Sequence, residues 1–155
     1  MALWGSLQVK FGLSYIAVIA AVLLLLNTYP LLISQSLVFQ TKETAMKSSV
    51  KMVESALSGL PELTEENVGQ ALASVEETGV SRLLVTDTAG RVLFDSREGG
   101  NARGMYAAYT EIVQALEGYD AFYCNYDSTA FLSRMASPVV YHNQIVGAVY
   151  TYEYD

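Results

Sequence analysis

Apolar and polar positions divide this chain into three regimes. From Phe11 to Ile33 the run FGLSYIAVIAAVLLLLNTYPLLI is apolar on every side and carries no charge, and no Asp, Glu, Lys, Arg or His occurs between Lys10 and Lys42. About 20 mostly apolar residues cross a bilayer core, so this stretch predicts a transmembrane helix over 11–33 preceded by a short cytoplasmic tail, 1–10. Trp4 sits just before it and Tyr29 near its end, about 37 Å apart at the helical rise, close to one interface-to-interface distance. A cleaved signal peptide is the alternative. The run is longer than a signal core, only Lys10 charges the segment before it, and LLISQSLVFQ has no Ala-x-Ala-like cleavage site.

Beyond the membrane the pattern acquires a helical period. Leu32, Phe39, Met46, Val53 and Leu60 recur every seven residues with Val50 and Leu57 between them, predicting a long juxtamembrane helix over 34–60. Ser36 and Glu43 interrupt the earlier part of the seam. The clean stretch, Met46, Val50, Val53 and Leu57, is shorter than a secure coiled coil. Two readings stay open: an amphipathic helix on its own domain's sheet, or a dimer and signalling helix that also meets its copy. Gly59 and Pro61 end it. A second helix starts at a Thr64 cap, with Glu65 and Glu66 at the positive end of its dipole and Val68, Leu72 and Val75 on one face, closing at Gly79. The acidic cluster Glu62, Glu65, Glu66, Glu76 and Glu77 reads as a solvated helix face before it reads as a metal site.

From Arg82 the period becomes that of strands. RLLVTD and RVLFDS flank the turn Asp87-Thr88-Ala89-Gly90 and form a hairpin. SREGGNARG, residues 96–104, is a Gly-rich loop with Arg97 and Arg103. It lacks the Lys-Ser/Thr ending of a phosphate loop and is either a connector or a lid. MYAAYTEIVQALEG places Tyr109, Ile112, Val113 and Leu116 at helical spacing and ends at Gly118. Three strands follow: DAFYCNYD, TAFLSRMASPVVY and QIVGAVYTYEYD, joined by Asp127-Ser128 and His142-Asn143. With two-residue turns, Tyr126 opposes Thr129, Cys124 opposes Phe131, Arg134 opposes Thr151 and Met135 opposes Tyr150. Phe122, Cys124, Tyr126, Phe131, Met135, Val146, Ala148, Tyr150 and Tyr152 then form a buried face. Tyr123, Leu132, Arg134, Ala136, Val149, Thr151 and Glu153 form a mixed face of the kind ligand sites use.

Composition narrows the functions. Apart from Lys10, the basic residues number 8 against 16 acidic ones, so residues 42–155 carry a net charge of −8. That balance excludes a nucleic-acid partner, whose phosphates demand basic patches. One Cys, Cys124, and one His, His142, offer neither an internal disulfide nor a mixed metal site. No cofactor is expected. Ser128, Ser133 and Ser137 have only His142 as a base, and no nucleophile elbow surrounds them. Asp87 and Asp95 are turn formers of the first hairpin. Lys10 favours a cytoplasmic N-terminus, whereas Lys42, Lys47 and Lys51 pull the other way under the positive-inside rule.

LLVTDTAGRVLFDS at 83–96, EIVQALEG at 111–118 and SPVVYHNQIVGAVYTY at 137–152 resemble the extracytoplasmic PAS-like sensor domain of the single Cache type, found near the N-terminus of bacterial sensor histidine kinases and chemoreceptors. The first segment is similar to the family's hairpin and the last to its closing strand pair. The resemblance implies an α+β fold in which an N-terminal transmembrane helix continues into a long helix, followed over 61–155 by a PAS-like five-stranded antiparallel sheet flanked by helices. It further implies residence in the bacterial inner membrane, with residues 34–155 outside the cytoplasm, a homodimer, and signal input to a two-component histidine kinase. The chain has no phosphoacceptor or ATP-binding boxes and stops where the family has a second membrane helix. It is thus either the first part of a longer receptor or a stand-alone anchored binding domain, and by itself not an enzyme. The family's Tyr-rich Arg-Trp-Tyr signature for amino acids is absent.

The expected partners are a lipid bilayer, a second copy, and a small anionic ligand or a cation. Arg134, Tyr123 and Thr151 are the candidate anion site, since guanidinium pairs bidentately with carboxylate. A cross-strand Arg134–Glu153 ion pair is the plainer use of the same register. The acidic surface is the candidate for cations. A pilin-like structural protein also begins with an apolar helix, but the Phe-x-x-x-Glu leader pattern is missing.

Overall fold

The computed structural model describes residues 7–75, 79–99, 101–127 and 129–155, with the side chains of residues 31 and 32 also left out. Trp4 and most of the tail 1–10, the Leu32 side chain, Glu76, Glu77 and Ser128 lie outside the described residues. Two compact units divide the chain, Met1–Gln40 and Thr41–Asp155.

The first unit is helical throughout its described residues and belongs to α1 (Leu7–Leu57), which contains Pro30. Its span is long and apolar enough to cross a membrane. Phe11, Tyr15, Ile19, Leu24 and Tyr29 all point outward and are exposed. Such a surface is costly in water and natural in lipid.

In the second unit the last turns of α1, then α2 (Glu65–Leu72), β1 (Arg82–Thr86), β2 (Val92–Asp95), α3 (Thr110–Leu116), β3 (Ala121–Asp127), β4 (Ala130–Tyr141) and β5 (Gln144–Tyr154) follow in order. The strands form one five-stranded sheet in the order β2-β1-β5-β4-β3, antiparallel at every pairing. This is the α+β architecture expected from the sequence. One face of the sheet packs on α1 and α2, where Met46, Val50, Val53, Leu57, Val68 and Leu72 meet Leu83, Val85, Met135, Val139 and Val149. The other face packs on α3, where Ile112 and Ala115 meet Leu84, Ala136, Ala148 and Tyr150.

Local chemistry accounts for the ends of the elements. At α2 the Thr64 hydroxyl accepts from Asn67 N–H, and the Asn67 side chain accepts from Thr64 N–H in return, satisfying two donors that a helix start leaves orphaned. The helix stops at Leu72, before the expected Gly79, as Val75 N–H turns back onto Leu72 O and the Ser74 hydroxyl onto Ala71 O. Asp87 Oδ1 accepts from Ala89 and Arg91 N–H, and Gly90 supplies φ +80°, as the first hairpin requires. His142 and Asn143 both take positive φ, 45° and 66°, the conformation of a tight two-residue hairpin. Val113, expected on the inner face of α3, is exposed, and Ala115 is buried in its place.

Register departs from expectation in two ways. Between β3 and β4, Tyr126 opposes Phe131 and Cys124 opposes Ser133. The shift is two residues, so facing is retained. Between β4 and β5 the expected pairing holds beside the turn, Tyr141 with Gln144 and Val140 with Ile145, but a bulge between Val139 and Val140 advances the rest by one. Arg134 therefore opposes Tyr152 and Met135 opposes Thr151. A one-residue slip turns every later side chain over. Ala148, Tyr150 and Tyr152 join the α3 face with Arg134, while Val149, Thr151 and Glu153 turn to the α1 face. The bulge follows Pro138, which has no N–H to give the ladder, and faces Gly147, where an added Cβ would lie 2.2 Å from Thr86 O.

Candidate functional site

The α3 face of the sheet is left open beside the helix, and a cleft of about 440 Å³ lies there. Three arginines line it, Arg82 from β1, Arg97 from the loop after β2 and Arg134 from β4. Three tyrosines face them, Tyr109 before α3 and Tyr150 and Tyr152 on β5, with Ser81 and Leu132 at the margins. Strand alternation puts Arg82, Arg134, Tyr150 and Tyr152 on one side of neighbouring strands, because Arg82 and Arg134 both pair with Tyr152.

Each arginine has a different electrostatic setting. Arg82 meets Asp95 as a fork, Nε to Oδ1 at 3.1 Å and Nη2 to Oδ2 at 2.7 Å. Asp95 also accepts from Arg97 N–H at 3.0 Å and Ala102 N–H at 2.8 Å, so one carboxylate ties the cleft floor to the Gly-rich loop. Burial disfavours its charge, but Arg82 and the two amides outweigh that and hold its pKa below the ordinary carboxylate value. The Arg82 pKa is raised in turn, first by the hydrogen bond to Asp95. Arg134 Nε lies 3.6 Å from Glu111 Oε1, and its guanidinium sits 4.5 Å from the centroid of the Tyr123 ring. Glu111 is only 7 % exposed, and its Oε2 has no hydrogen-bond partner among the described residues. The exposed Arg97 side chain has no carboxylate partner among the described residues.

Tyr109 and Tyr150 stack with centroids 4.8 Å apart and planes 7° from parallel. Burial, with Tyr109 adding to it, pushes the Tyr150 phenol well above its ordinary pKa, so it stays neutral and able to donate.

The sequence-derived trio is split. Arg134 lines the cleft and Tyr123 supports it from the neighbouring strand, directly opposite. Thr151 does not join them: the bulge turns it to the α1 face, fully buried, with its hydroxyl unpartnered among the described residues. Glu153 is turned away by the same slip and lies 3.7 Å from Lys42, so the plainer Arg134–Glu153 pair does not form. Sequence reasoning passed over Arg82, Asp95 as its partner, Glu111, Tyr109 and Tyr150. A signal existed for the first two, since Arg82 and Asp95 sit at the open ends of one predicted hairpin. Met46, Val50, Val53 and Leu57 are buried in the domain's own core at 0–1 % exposure. Among the described residues no group of three His, Cys, Asp or Glu is arranged to hold a metal, and Glu65 pairs with Arg91 at 3.8 Å.

No protein-family model matches the chain, and no curated protein matches it. Solved structures do. The sensor domain of the V. cholerae histidine kinase DctB superposes with a TM-score of 0.54 at 17% identity, covering 77% of this chain and 53% of that one. The ligand-binding domain of the Campylobacter jejuni chemoreceptor Tlp3, in complex with 4-methylisoleucine, gives 0.58 at 18%, covering 78% and 54%. The ligand-binding domain of the Pseudomonas aeruginosa amino-acid chemoreceptor PctC, in complex with GABA, gives 0.55 at 17%, covering 77% and 56%. The chain spans about half the length of these domains. The chain has the PAS-like, Cache-type fold of histidine-kinase and chemoreceptor sensor domains.

Proposed function

We propose that the chain is the signal-input region of a membrane receptor, anchored through residues 11–33, with residues 34–155 outside the cytoplasm and a small ligand bound in the arginine-lined cleft. The observation that carries this reading is the convergence of Arg82, Arg97 and Arg134 with three tyrosines on one open sheet face. Such a mixture of cationic, hydroxyl and aromatic groups in a concave site is what a small anionic ligand requires. The fold supports the reading, and so do the small ligands held by Tlp3 and PctC. A two-component histidine kinase is the parent protein on this reading, with a chemoreceptor as the second form. This chain contributes recognition and no chemistry of its own, and it works as a homodimer.

The test is calorimetric titration of the full chain in lipid nanodiscs with a panel of organic acids and amino acids. Saturable binding that Arg134→Ala and Arg97→Ala each weaken is expected. Equal binding by wild type and both variants would exclude the cleft.

A further inference from the structure

We infer that the cleft selects ligands with one anionic group over those with two, because carboxylates of the domain itself cancel two of its three arginines. This rests on the reading of the cleft as the ligand site.

Arg82 is spent on Asp95. Both Asp95 oxygens are doubly occupied, Oδ1 by Arg82 Nε and Arg97 N–H and Oδ2 by Arg82 Nη2 and Ala102 N–H, so the carboxylate cannot swing away to make room for a competitor. Arg134 is countered by Glu111 at 3.6 Å, and its flat face is covered by Tyr123. Glu111 is more than nine-tenths buried with one oxygen unpartnered among the described residues, an acceptor-rich carboxyl beside any anion that approaches Arg134. Like charges a few ångströms apart at a partly buried site repel strongly. Of the three arginines Arg97 alone has no carboxylate partner among the described residues, and its backbone is held at the cleft by Asp95.

One net cation matches one carboxylate. A second carboxylate finds guanidinium groups whose charge is already answered and a Glu111 oxygen that opposes it. Tyr152 and Leu132 leave the rest of the wall suited to an apolar body.

The experiment compares matched acids differing by one carboxylate, butanoate against succinate and benzoate against phthalate, titrated into the full chain in neutral-lipid nanodiscs. The monoanion of each pair is expected to bind at least about tenfold more tightly. Arg97→Gln is expected to abolish that binding. The isosteric Glu111→Gln is expected to raise succinate affinity about tenfold while leaving butanoate within about twofold, since Arg134 is then released. Tighter binding of the dianions by wild type, or a Glu111→Gln protein with an unchanged succinate-to-butanoate ratio, overturns the inference while leaving the cleft as the ligand site. Binding of none of the four acids overturns the cleft reading together with the inference.

Discussion

The Arg82 guanidinium and the Asp95 carboxylate meet fork to fork across the β1–β2 hairpin, with the aspartate side chain fully shielded and the arginine one-fifth exposed. Asp95 has four donors on two oxygens and no access to water. Removing it as Asp95→Ala leaves Arg82 and two amides unanswered, and breaking a buried pair from one side costs about 3 kcal/mol. The expected result is a lower urea midpoint of the Thr41–Asp155 unit. Because the folded carboxyl is held below its ordinary value, its contribution is complete above about pH 4 and fades as pH falls through the folded pKa. The wild type should lose this stability on acidification, and Asp95→Ala should show a flatter acid limb in the same titration.

Gly147 lies on β5 against the backbone of β1 at Thr86. A methyl group there would stand 2.2 Å from Thr86 O and 2.5 Å from Leu63 Cδ1. Backbone cannot yield as a flexible side chain can, so Gly147→Ala should cost about 2 kcal/mol or more. Thermal unfolding checks this, with Gly99→Ala as the comparison that should be near neutral, having nothing within 4 Å.

Leu57 is fully buried against the sheet. Leu57→Ala should cost about 3 kcal/mol by chemical denaturation. Cysteines at Met46 or Val53 should fail to cross-link in membranes, because those side chains face the domain's own core. Cysteines at Ser48 or Met52, on the exposed side of the helix, are the positions that would trap a paired helix.

Lys42 is paired with Asp155 and lies 3.7 Å from Glu153. Burial opposes its charge, but the bond to Asp155 and the two carboxylates outweigh it and raise its pKa. A raised amine pKa stabilises fully below the ordinary lysine value and is lost as pH climbs through the folded one, so this contribution persists across the neutral range. Asp155 is half exposed, which limits the pair to about 0.5 kcal/mol. Lys42→Met should therefore barely move the melting temperature while speeding amide exchange at Asp155, whose N–H is bonded to Phe131 O.

How far the sequence foretold this molecule follows from what each signal measures. Hairpin turns are local, so Asp87 to Gly90 and His142-Asn143 announced themselves, and with them the strand count. Helix caps are local too, as Thr64 demonstrates. A bulge is different. Nothing at Val146, the β5 residue left without a partner between Ile145 and Gly147, marks it as extra, and that one displacement moved Thr151 out of the site and Tyr150 into it. Glu111 was hidden because an acidic residue in the first turn of a short helix is ordinarily solvated, whereas here it faces Arg134 from a distant strand. Arg97 was visible as a charge in a Gly-rich loop, but its place at the cleft depends on Asp95 holding the loop by two amides.

The alternation along β5 gives that strand two audiences. Tyr150 and Tyr152 look into the cleft, while Thr151 and Glu153 look toward α1, where Glu153 lies beside Lys42. Neighbouring residues of one strand point to opposite faces, so the cleft-lining tyrosines and the residues facing α1 stand one peptide unit apart.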